Sequence, residues 1–591
     1  MMTHKSPAPT DYVKVQSFIA VLHEYPKRTS MRTGSHIFSG RCISYDERLH
    51  LAFSLRDRNK NTLPSHAAKL QRFIIGDDAE CQDDSLATCM ANAVTIEVDT
   101  ARSYLHVTSS VVGLPPIFIY QDPKKIIVSS DVHLLHWVHN VNLHFSLSSI
   151  IEMSRIGHPT NGKTLFKEVE MLPTGSSFTW SRGHIVTKRL WSYTDYVRPS
   201  GPSTDLHRLI CSFKRALASI DISRSFLSLT GGLDTRTILA LLVANETYLP
   251  AYTITGHRPS LDAKISSHLC KEYGIRHELI VLDDTFLKDL PNYVMEASRL
   301  SGGLCSLDEA HEIYFYSVIN KALKSRLSGN LGNQLGRQGT ERVSMRNASG
   351  AVLHKELTSR QKRHDASWHT GAMMKRGGAA TLGFLIENEL RAASLANYCI
   401  GNNYAVQQTP YATRSFIEEV LGYCHDTDRE SMRFLRLRDL RHRFIGHRAE
   451  KSFQVQIIRE TGGHVSAYPI NWGWTVNGRF SLSGRIGGGL AFLDAALTRY
   501  VPSLMGKHGP TAFFFTGMHN YKHTEYWLHH HLRDFVLDTL SSSAAVNSGL
   551  FDCLYLGNVL KEYYLCGQDH SKVIQFALDL ALAQKIFHAG L

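Results

Sequence analysis

Two adjacent glycines followed by an aspartate form the part of this sequence whose residue types could do chemistry. The stretch joins a short apolar segment to an apolar helical pattern, and its members are Leu229, Thr230, Gly231, Gly232, Leu233, Asp234 and Thr235. Glycines let a backbone approach a phosphate closely, and the amides and dipole of a helix N-terminus favour an anion. A carboxylate beside phosphates repels them unless it holds a cation. The stretch therefore predicts that Asp234 binds Mg²⁺ and that Thr230 and Thr235 bond phosphate oxygens.

Two other phosphate-binding motifs do not fit this stretch. No Gly-Lys-Ser/Thr follows the glycines, so it is not a Walker loop, and the G-x-G-x-x-G dinucleotide fingerprint is missing. A tight strand-to-helix turn with Asp234 as the N-terminal cap would use the same residues. Taken alone, the motif gives the phosphate site and the plain turn similar weight.

The pattern around the motif predicts alternating helices and strands. A helical segment at 206–220 precedes a strand at 225–229, and after the glycine turn come a helix, a strand at 250–256, a helix at 260–274 and a strand at 277–283. This alternation predicts βαβ units and a parallel sheet, in which ligands bind beyond the carboxyl ends of the strands. Beyond about residue 380 the pattern is mostly helical.

The first 190 or so residues have a different character. Short β-patterned runs with Gly, Pro, Asp and Ser turns predict a β-rich domain, and residues 180–186 predict a hairpin. A Pro-, Ser- and Gly-rich stretch at 192–205 is a candidate linker. We therefore predict two domains, residues 1–195 and residues 196–591.

Composition indicates a folded protein of the reducing cytosol. The chain has 591 residues, 43% of them hydrophobic and 20% charged, with no apolar run near the roughly 18–20 residues that span a bilayer and no apolar leader. Its ten cysteines form no C-x-x-C pair, which predicts free and mostly buried thiols in a cytoplasmic protein.

The net charge of +12 is concentrated between Lys321 and Arg376. A basic stretch of this kind can attract nucleic acid, phosphates or an acidic peptide. Aromatic residues interleave only thinly with these charges, so we favour a solvated loop and do not expect nucleic acid as a partner.

The glycine motif and several other segments resemble the asparagine synthetase family. "LSLTGGLDTRTILALL" resembles its Ser-Gly-Gly-x-Asp-Ser pyrophosphate loop, and "RLSGNLGNQLGRQ" is similar to its second, glycine-rich nucleotide loop. The segments 256–280 and 408–424 look like its second strand and helix and its proline-led segment. Upstream, 111–135 and 163–180 resemble strands of its N-terminal glutaminase domain.

The resemblance implies a fold and a reaction. The fold would be α/β, with an N-terminal Ntn-hydrolase-like αββα sandwich, then a parallel-sheet ATP-pyrophosphatase domain with a helical C-terminal half. The family uses ATP and Mg²⁺ to convert a carboxylate to an acyl-adenylate, which an amine or ammonia then attacks to form an amide. Gly329 and Asn330 of the second loop would join the first loop in binding the nucleotide.

The match to the family breaks at the N-terminus. The glutaminase of this family needs a cysteine as the first residue of the mature chain, because its thiol is the nucleophile and its own amine the base. Position 2 is Met2, and Cys42 would require removal of a long leader. We therefore expect the N-terminal domain to have lost glutamine hydrolysis.

The second loop departs from the family as well. Where the family usually carries carboxylates, this chain has Asn330, Asn333 and Gln334. Amide oxygens ligate Mg²⁺ less strongly than carboxylates, so the metal would be held by Asp234 with Asn333, or adenylation would be weakened or lost.

Two further sites are suggested by single residues. Lys451, in "GHRAEKSF", is near the place of the family's lysine for amide formation, although an exposed surface lysine is an equal alternative. His519 and His523 have the i, i+4 spacing of a helical metal pair, but no third ligand accompanies them, so a solvated helix face is the better interpretation.

Two hypotheses of different classes result. The first is an ATP-dependent amide-forming ligase without a glutaminase, similar to β-lactam synthetases and lasso-peptide cyclases, acting on a small molecule or peptide that carries a carboxylate. A cyclase would have a precursor peptide and a protease as partners, and an ammonia-dependent amidation of a metabolite or sugar is the alternative. The second is a non-catalytic binding protein on a synthetase scaffold.

Overall fold

The computed structural model describes most of the chain outside a few segments. The described residues are 13–23, 41–44, 49–55, 70–76, 93–99, 102–123, 125–138, 141–196, 205–257, 259–304, 306–336, 352–353, 383, 385–431, 453–470, 475–476 and 521–590. Met2, Lys451 and His519 lie outside these ranges, as does most of the basic Lys321–Arg376 stretch.

Eleven strands of the first part of the chain form one sheet. They are β1 Val13–His23, β2 Arg41–Ser44, β3 Leu49–Leu55, β4 Leu70–Gly76, β5 Ala93–Asp99, β6 Tyr104–Thr108, β7 Phe118–Gln121, β8 Lys125–Ser129, β9 Val169–Met171, β10 Ser176–Ser181 and β11 His184–Arg189. The order is β11-β10-β6-β5-β4-β1-β8-β7-β9, and β3 pairs with both β1 and β2. All of these pairings are antiparallel except a short parallel contact of β1 with β4. This agrees with the β-rich prediction.

The predicted hairpin is confirmed. Strands β10 and β11 pair antiparallel from Ser181↔His184 to Ser176↔Arg189. Arg182 and Gly183 form the two-residue turn, and both have positive φ (50° and 92°). That combination matches the right-handed twist of the two strands, and glycine at the second position adopts it without strain.

A second sheet is parallel and has five strands. These are β12 Ser225–Ser228, β13 Ala251–Gly256, β14 His277–Leu282, β15 Ser325–Leu327 and β16 Val406–Gln408, in the order β14-β13-β12-β15-β16. Every pairing in it is parallel. The predicted α/β class with a parallel sheet is confirmed. The strands are short apolar runs because both faces of such a sheet are covered.

Helices connect these strands and make up most of the described residues beyond residue 380. They are α1 Leu147–Ile156, α2 Leu206–Ala218, α3 Leu233–Ala244, α4 Leu261–Glu272, α5 Asp284–Lys288, α6 Leu290–Ser301, α7 Ser306–Val318, α8 Gly332–Gly336, α9 Arg391–Asn402, α10 Arg414–Ser431, α11 Phe453–Thr461, α12 Gly463–Ala467, α13 Thr524–His530, α14 Arg533–Leu540, α15 Ser543–Val546, α16 Cys553–Cys566 and α17 Ser571–Phe587. No helix in the described ranges is long and apolar enough to cross a membrane.

The two sheets belong to parts of the chain that pack against each other. Arg391, at the start of α9, is 3% exposed, and its guanidinium donates to the Leu172 carbonyl at 2.6 Å. Asn403 donates to the buried Asp131 at 3.2 Å. The division at residue 195 stays a prediction.

The prediction that the thiols are mostly buried is right for two of the five cysteines whose side chains are described. Cys270 and Cys399 are buried, Cys211 is intermediate, and Cys553 and Cys566, at the two ends of α16, are exposed. All five are free. The exposed pair lies on a helix with one face toward solvent, which the cysteine count could not show.

Candidate functional site

The two glycine loops lie at the switch point of the parallel sheet, between β12 and β15, where the strand order reverses. The chain passes from β12 through α3 to β13 on one side, and later returns to β15 on the other side of β12. Residues 229–232 follow β12, and residues 328–331 follow β15. Connections that leave neighbouring strands in opposite directions open a crevice beyond the strand ends, which is where open α/β sheets bind ligands.

The first loop is held by its own threonines. The Thr230 amide donates to Oγ1 of Thr235 at 3.1 Å, and the two hydroxyls are 3.0 Å apart. Thr230 is exposed whereas Thr235 is 6% exposed. Thr235 therefore shapes the turn from inside, and Thr230 is the better placed of the two to meet a ligand.

Asp234 is not the cap of the helix. The N-cap of α3 is Gly232, which makes no side-chain cap bond, and Asp234 is the second residue of the helix. The plain turn with Asp234 as its cap is therefore wrong in that detail. A carboxylate in the first turn still interacts favourably with the helix dipole.

The second loop packs directly on Asp234. A Cβ added to Gly332 would lie 2.8 Å from Cβ and 2.9 Å from Cγ of Asp234, and one added to Gly329 would lie 2.8 Å from Asp234 Cβ and 2.9 Å from the Thr235 amide nitrogen. Only glycine allows the two loops to meet this closely. Gly329 thus lies beside the first loop, as expected from the sequence, and Asn330 and Asn333 flank the contact.

We expect Gly332→Ala to disturb the crevice where a control substitution does not. The new methyl group would collide with the Asp234 side chain and with Cζ of Tyr411 at 2.9 Å. Such overpacking costs about 1–3 kcal/mol of unfolding free energy. The control is Gly557→Ala in α16, where nothing lies within 4 Å of the new Cβ and where alanine stabilises a helix by about 0.5–1 kcal/mol. Urea unfolding of both variants checks this, and equal stabilities would contradict the packing.

The Asp234 carboxylate has a buried partner that the sequence did not reveal. Gln454, in α11, donates from Nε2 to Oδ1 of Asp234 at 2.7 Å, and the Tyr411 hydroxyl donates to the Asp234 carbonyl at 3.0 Å. Gln454 is 1% exposed and Tyr411 is 0% exposed. These bonds fix the position of Asp234, and a cation bound there would share the carboxylate with Gln454.

Asn330 connects the second loop to an acidic helix end. Its amide Nδ2 lies 3.5 Å from Oδ1 of Asn397, and Asn397 donates to Oε2 of Glu309 at 3.2 Å. Glu309 is in the first turn of α7, and its Oε1 is 3.6 Å from Nζ of Lys522. A polar chain therefore runs from the second loop to an ion pair.

The segment that carries Lys522 crosses the carboxyl end of the sheet. Nε2 of His523 lies 3.3 Å from the position of a Cβ on Gly256, the last residue of β13. Although burial disfavours its charge, Lys522 has a raised pKa, because the Glu309 carboxylate, with Tyr521, Asp308 and Glu312, outweighs burial. Lys522 is therefore a cation at neutral pH on the ligand side of the sheet.

The solvated helix face proposed for His523 is wrong. His523 is 7% exposed and directly precedes α13, and burial together with the charge of His257 lowers its pKa to about 4. A neutral buried imidazole packs at the end of β13 here. The proposed partner His519 lies outside the described residues.

Three side chains of α7 could in principle hold a metal ion. Ligand atoms of Glu309, His311 and Glu312 lie within 4.8 Å of one another. Each carboxylate already faces a cation, since Arg326 is 2.5 Å from Glu312 and Lys522 is 3.6 Å from Glu309. A divalent ion would add positive charge beside two cations, so we assign this cluster to ion pairing.

The donor set of the crevice fits the phosphates of a nucleotide better than it fits a metal alone. The first turn of α3 offers amides without partners inside the helix, and the two glycine loops pack closely against each other at its N-terminus. Asp234 supplies a carboxylate beside these loops, and Asn330 and Asn333 supply amide groups. Lys451, the predicted lysine, lies outside the described residues, and Asn333 as a metal ligand stays a prediction.

Comparison with known proteins identifies no family. No family model and no curated protein matches the chain. Solved structures that share similarity include the allosteric regulatory enzyme of purine biosynthesis (10% identity, TM-score 0.19, 45% of this chain and 59% of that one). Another is glutamine phosphoribosylpyrophosphate amidotransferase from B. subtilis complexed with ADP and GMP (10% identity, TM-score 0.18, 45% and 60%).

Those alignments span about three fifths of the two solved chains. At such identities and TM-scores the likeness carries no argument about activity.

Proposed function

We propose that this chain is an ATP-dependent ligase that activates a carboxylate and joins it to an amine. The observation that carries the proposal is the meeting of two glycine loops on Asp234 at the switch point of a parallel sheet. A crevice of this type binds nucleotide phosphates through backbone amides and a helix dipole.

The reaction we propose has two steps. The carboxylate oxygen of the substrate attacks the α-phosphate of ATP, forming an acyl-adenylate and releasing pyrophosphate. An amine then attacks the acyl carbon, which forms the amide, releases AMP and gives up one proton. Bound Mg²⁺ supplies charge neutralisation for the pyrophosphate.

The residues of the chain have separate parts in this scheme. The first turn of α3 and the Thr230 hydroxyl bind phosphate oxygens, and Asp234, whose position is fixed by Gln454, would hold Mg²⁺. Lys522 is a cation on the same edge of the sheet, where a substrate carboxylate would share it with Glu309. Lys451 stays the sequence-based alternative for this part.

The substrate class is a carboxylate-bearing small molecule or peptide. An amine within the same molecule would give a macrolactam or β-lactam, with a precursor peptide and a protease as partners in the peptide case. Ammonia as the amine would give a simple amide. Both use the same crevice, so they differ only in the amine.

Calorimetry with Mg·ATP, followed by pyrophosphate release in the presence of candidate carboxylates, tests the proposal. We expect binding by the intact chain and at least ~10-fold weaker substrate binding in Lys522→Met. Lys214→Met is the matched control, because Lys214 makes an exposed ion pair with Glu460. Absence of Mg·ATP binding at millimolar nucleotide would overturn the ligase and favour a non-catalytic scaffold.

A further inference from the structure

We propose that Asp262 and Arg236 hold the Gly231 peptide from both sides and so fix the conformation of the first glycine loop. The two residues act on the loop, so they are positioning residues, and the inference rests on the proposed nucleotide site. The Gly231 amide then bonds to the protein itself, and the amides of the residues that follow Gly231 bind the phosphates.

The first contact comes from α4. The Gly231 amide donates to Oδ1 of Asp262 at 2.8 Å. A Cβ on Gly231 would lie 2.8 Å from that same oxygen and 2.7 Å from Cδ1 of Ile265. The close approach that needs glycine at this position is therefore an approach to α4. The sequence suggested an approach to a phosphate instead.

The second contact comes from within α3. Nη2 of Arg236 donates to the Gly231 carbonyl at 3.3 Å. The Asp262 carboxylate thus accepts from the amide of Gly231, and the Arg236 guanidinium donates to its carbonyl. Asp262 also adds to the charge stabilisation of Arg236.

Arg236 is itself anchored in a second segment. It is 0% exposed, and its guanidinium donates to the carbonyls of Tyr468 at 2.7 Å and Pro469 at 3.0 Å, which follow α12. Burial lowers the pKa of Arg236 to about 10, against the opposing effects of Tyr468 and Asp262, so the side chain stays charged at neutral pH. The planar fork of five donors can serve several carbonyls at once, which a lysine ammonium on its flexible stem cannot do as well.

A consequence for binding follows from these contacts. The Asp262 charge next to the Gly231 amide disfavours an anion at that amide, so a phosphate is directed to Gly232, Leu233 and the first turn of α3. Because the loop is already held in place, it need not reorganise when a ligand binds. Removing the contact should therefore loosen the loop and weaken nucleotide binding together.

Hydrogen exchange at the Gly231 amide and calorimetry with Mg·ATP test the inference on full-length variants. In Asp262→Ala we expect exchange at least ~10-fold faster than in the parent and nucleotide binding about 10-fold weaker. Asp262→Asn keeps an oxygen acceptor and removes the charge, so its exchange should stay within about 3-fold and its nucleotide binding should equal or exceed that of the parent.

Ser260→Ala is the matched control. Ser260 caps α4 by accepting from the Ala263 amide at 3.2 Å and does not touch Gly231. If Ser260→Ala speeds Gly231 exchange as much as Asp262→Ala does, the effect is a loss of α4 stability and the inference is wrong. Unchanged exchange in Asp262→Ala, or tighter nucleotide binding by it than by Asp262→Asn, would equally overturn it.

The exchange measurement keeps this inference separate from the ligase proposal. If the parent binds no Mg·ATP, the ligase proposal fails, while fast Gly231 exchange confined to Asp262→Ala still supports the two-sided contact. Arg236→Lys tests the contact with the Gly231 carbonyl, and we expect faster exchange of the Gly231 amide in this variant. Exchange equal to that of the parent would remove Arg236 from the inference.

Discussion

Replacing Asp234 by asparagine is expected to lower the rate of ATP–pyrophosphate exchange by at least ~100-fold without unfolding the protein. Loss of one charge-stabilising group in a preorganised site lowers a rate on this scale. Asparagine has the shape of aspartate, and its Oδ1 can still accept the 2.7 Å bond from Gln454. What it loses is the negative charge that Mg²⁺ requires. The measurement is isotope exchange between pyrophosphate and ATP, with thermal unfolding recorded on the same samples.

The comparison of two substitutions separates the metal role from the structural one. Asp234→Ala removes both the charge and the acceptor of the Gln454 bond, so it should lose activity and some stability. Asp538→Asn, at an exposed position of α14, is the control for a distant carboxylate. If Asp234→Asn exchanges at the rate of the parent, then Asp234 serves only to receive Gln454, and the Mg²⁺ assignment is wrong.

The fold could be predicted well where local pattern determines it. The helix and strand that flank the glycine turn, the following βα unit, the strand after it and the Arg182–Gly183 hairpin were all predicted, because apolar periodicity and turn residues are local signals. The order of the five parallel strands could not be predicted in the same way. That order depends on which strand the chain returns to after α7, and this is a contact between distant segments.

The contacts of the site with distant segments of the chain could not be predicted either. The sequence identified Gly231, Gly232 and Asp234 as candidate site residues. It could not predict why Gly231 must be glycine, because the side chains that crowd it, Asp262 and Ile265, come from a different helix. Gln454 and Lys522 carry no motif, and each is more than 200 residues from Asp234 in the chain. Gln454 reaches Asp234 through the packing of α11, and Lys522 reaches Glu309 through the segment that precedes α13.

His523 shows how spacing alone can mislead. The i, i+4 spacing with His519 suggested a helical face, yet α13 begins at Thr524, after His523. The residue is buried at the end of β13 because the segment 521–523 crosses the sheet edge. A single sequence gives no signal for such a crossing.

A buried ion pair between Glu312 and Arg326 lies beneath the glycine loops. Of the substitutions proposed, its loss should lower the stability of the protein most. Glu312 and Arg326 are 4% and 8% exposed, with Nη1 of Arg326 at 2.5 Å from Oε2 of Glu312. Arg326 also donates from Nε to the Ser228 hydroxyl, at the end of β12, at 2.8 Å. The pair thus joins α7 to the two strands that precede the loops.

We expect Glu312→Ala to lower the free energy of unfolding by about 3–5 kcal/mol, because it leaves the Arg326 charge buried without its partner. Urea unfolding measures this loss. Glu460→Ala is the control, since Glu460 and Lys214 form an exposed pair at 2.9 Å whose loss should cost at most about 1 kcal/mol.

The double variant Glu312→Leu/Arg326→Met should be more stable than Glu312→Ala, because neither charge remains. A double variant no more stable than the single one would mean that the cost comes from lost packing.

The pH dependence of the same pair gives an independent check. Burial disfavours the ionised carboxylate, but the Arg326 guanidinium and His311 outweigh it and hold the pKa of Glu312 well below its ordinary value of 4.5. A carboxyl whose pKa is lowered by folding stabilises the protein above its unfolded pKa, and this contribution is lost as the pH falls toward the folded value. The difference in stability between the parent and Glu312→Ala should therefore be constant from pH 7 to about pH 5 and should shrink only below the ordinary pKa. A difference that shrinks already between pH 7 and pH 6 would mean that another group, and not Glu312, controls the pair.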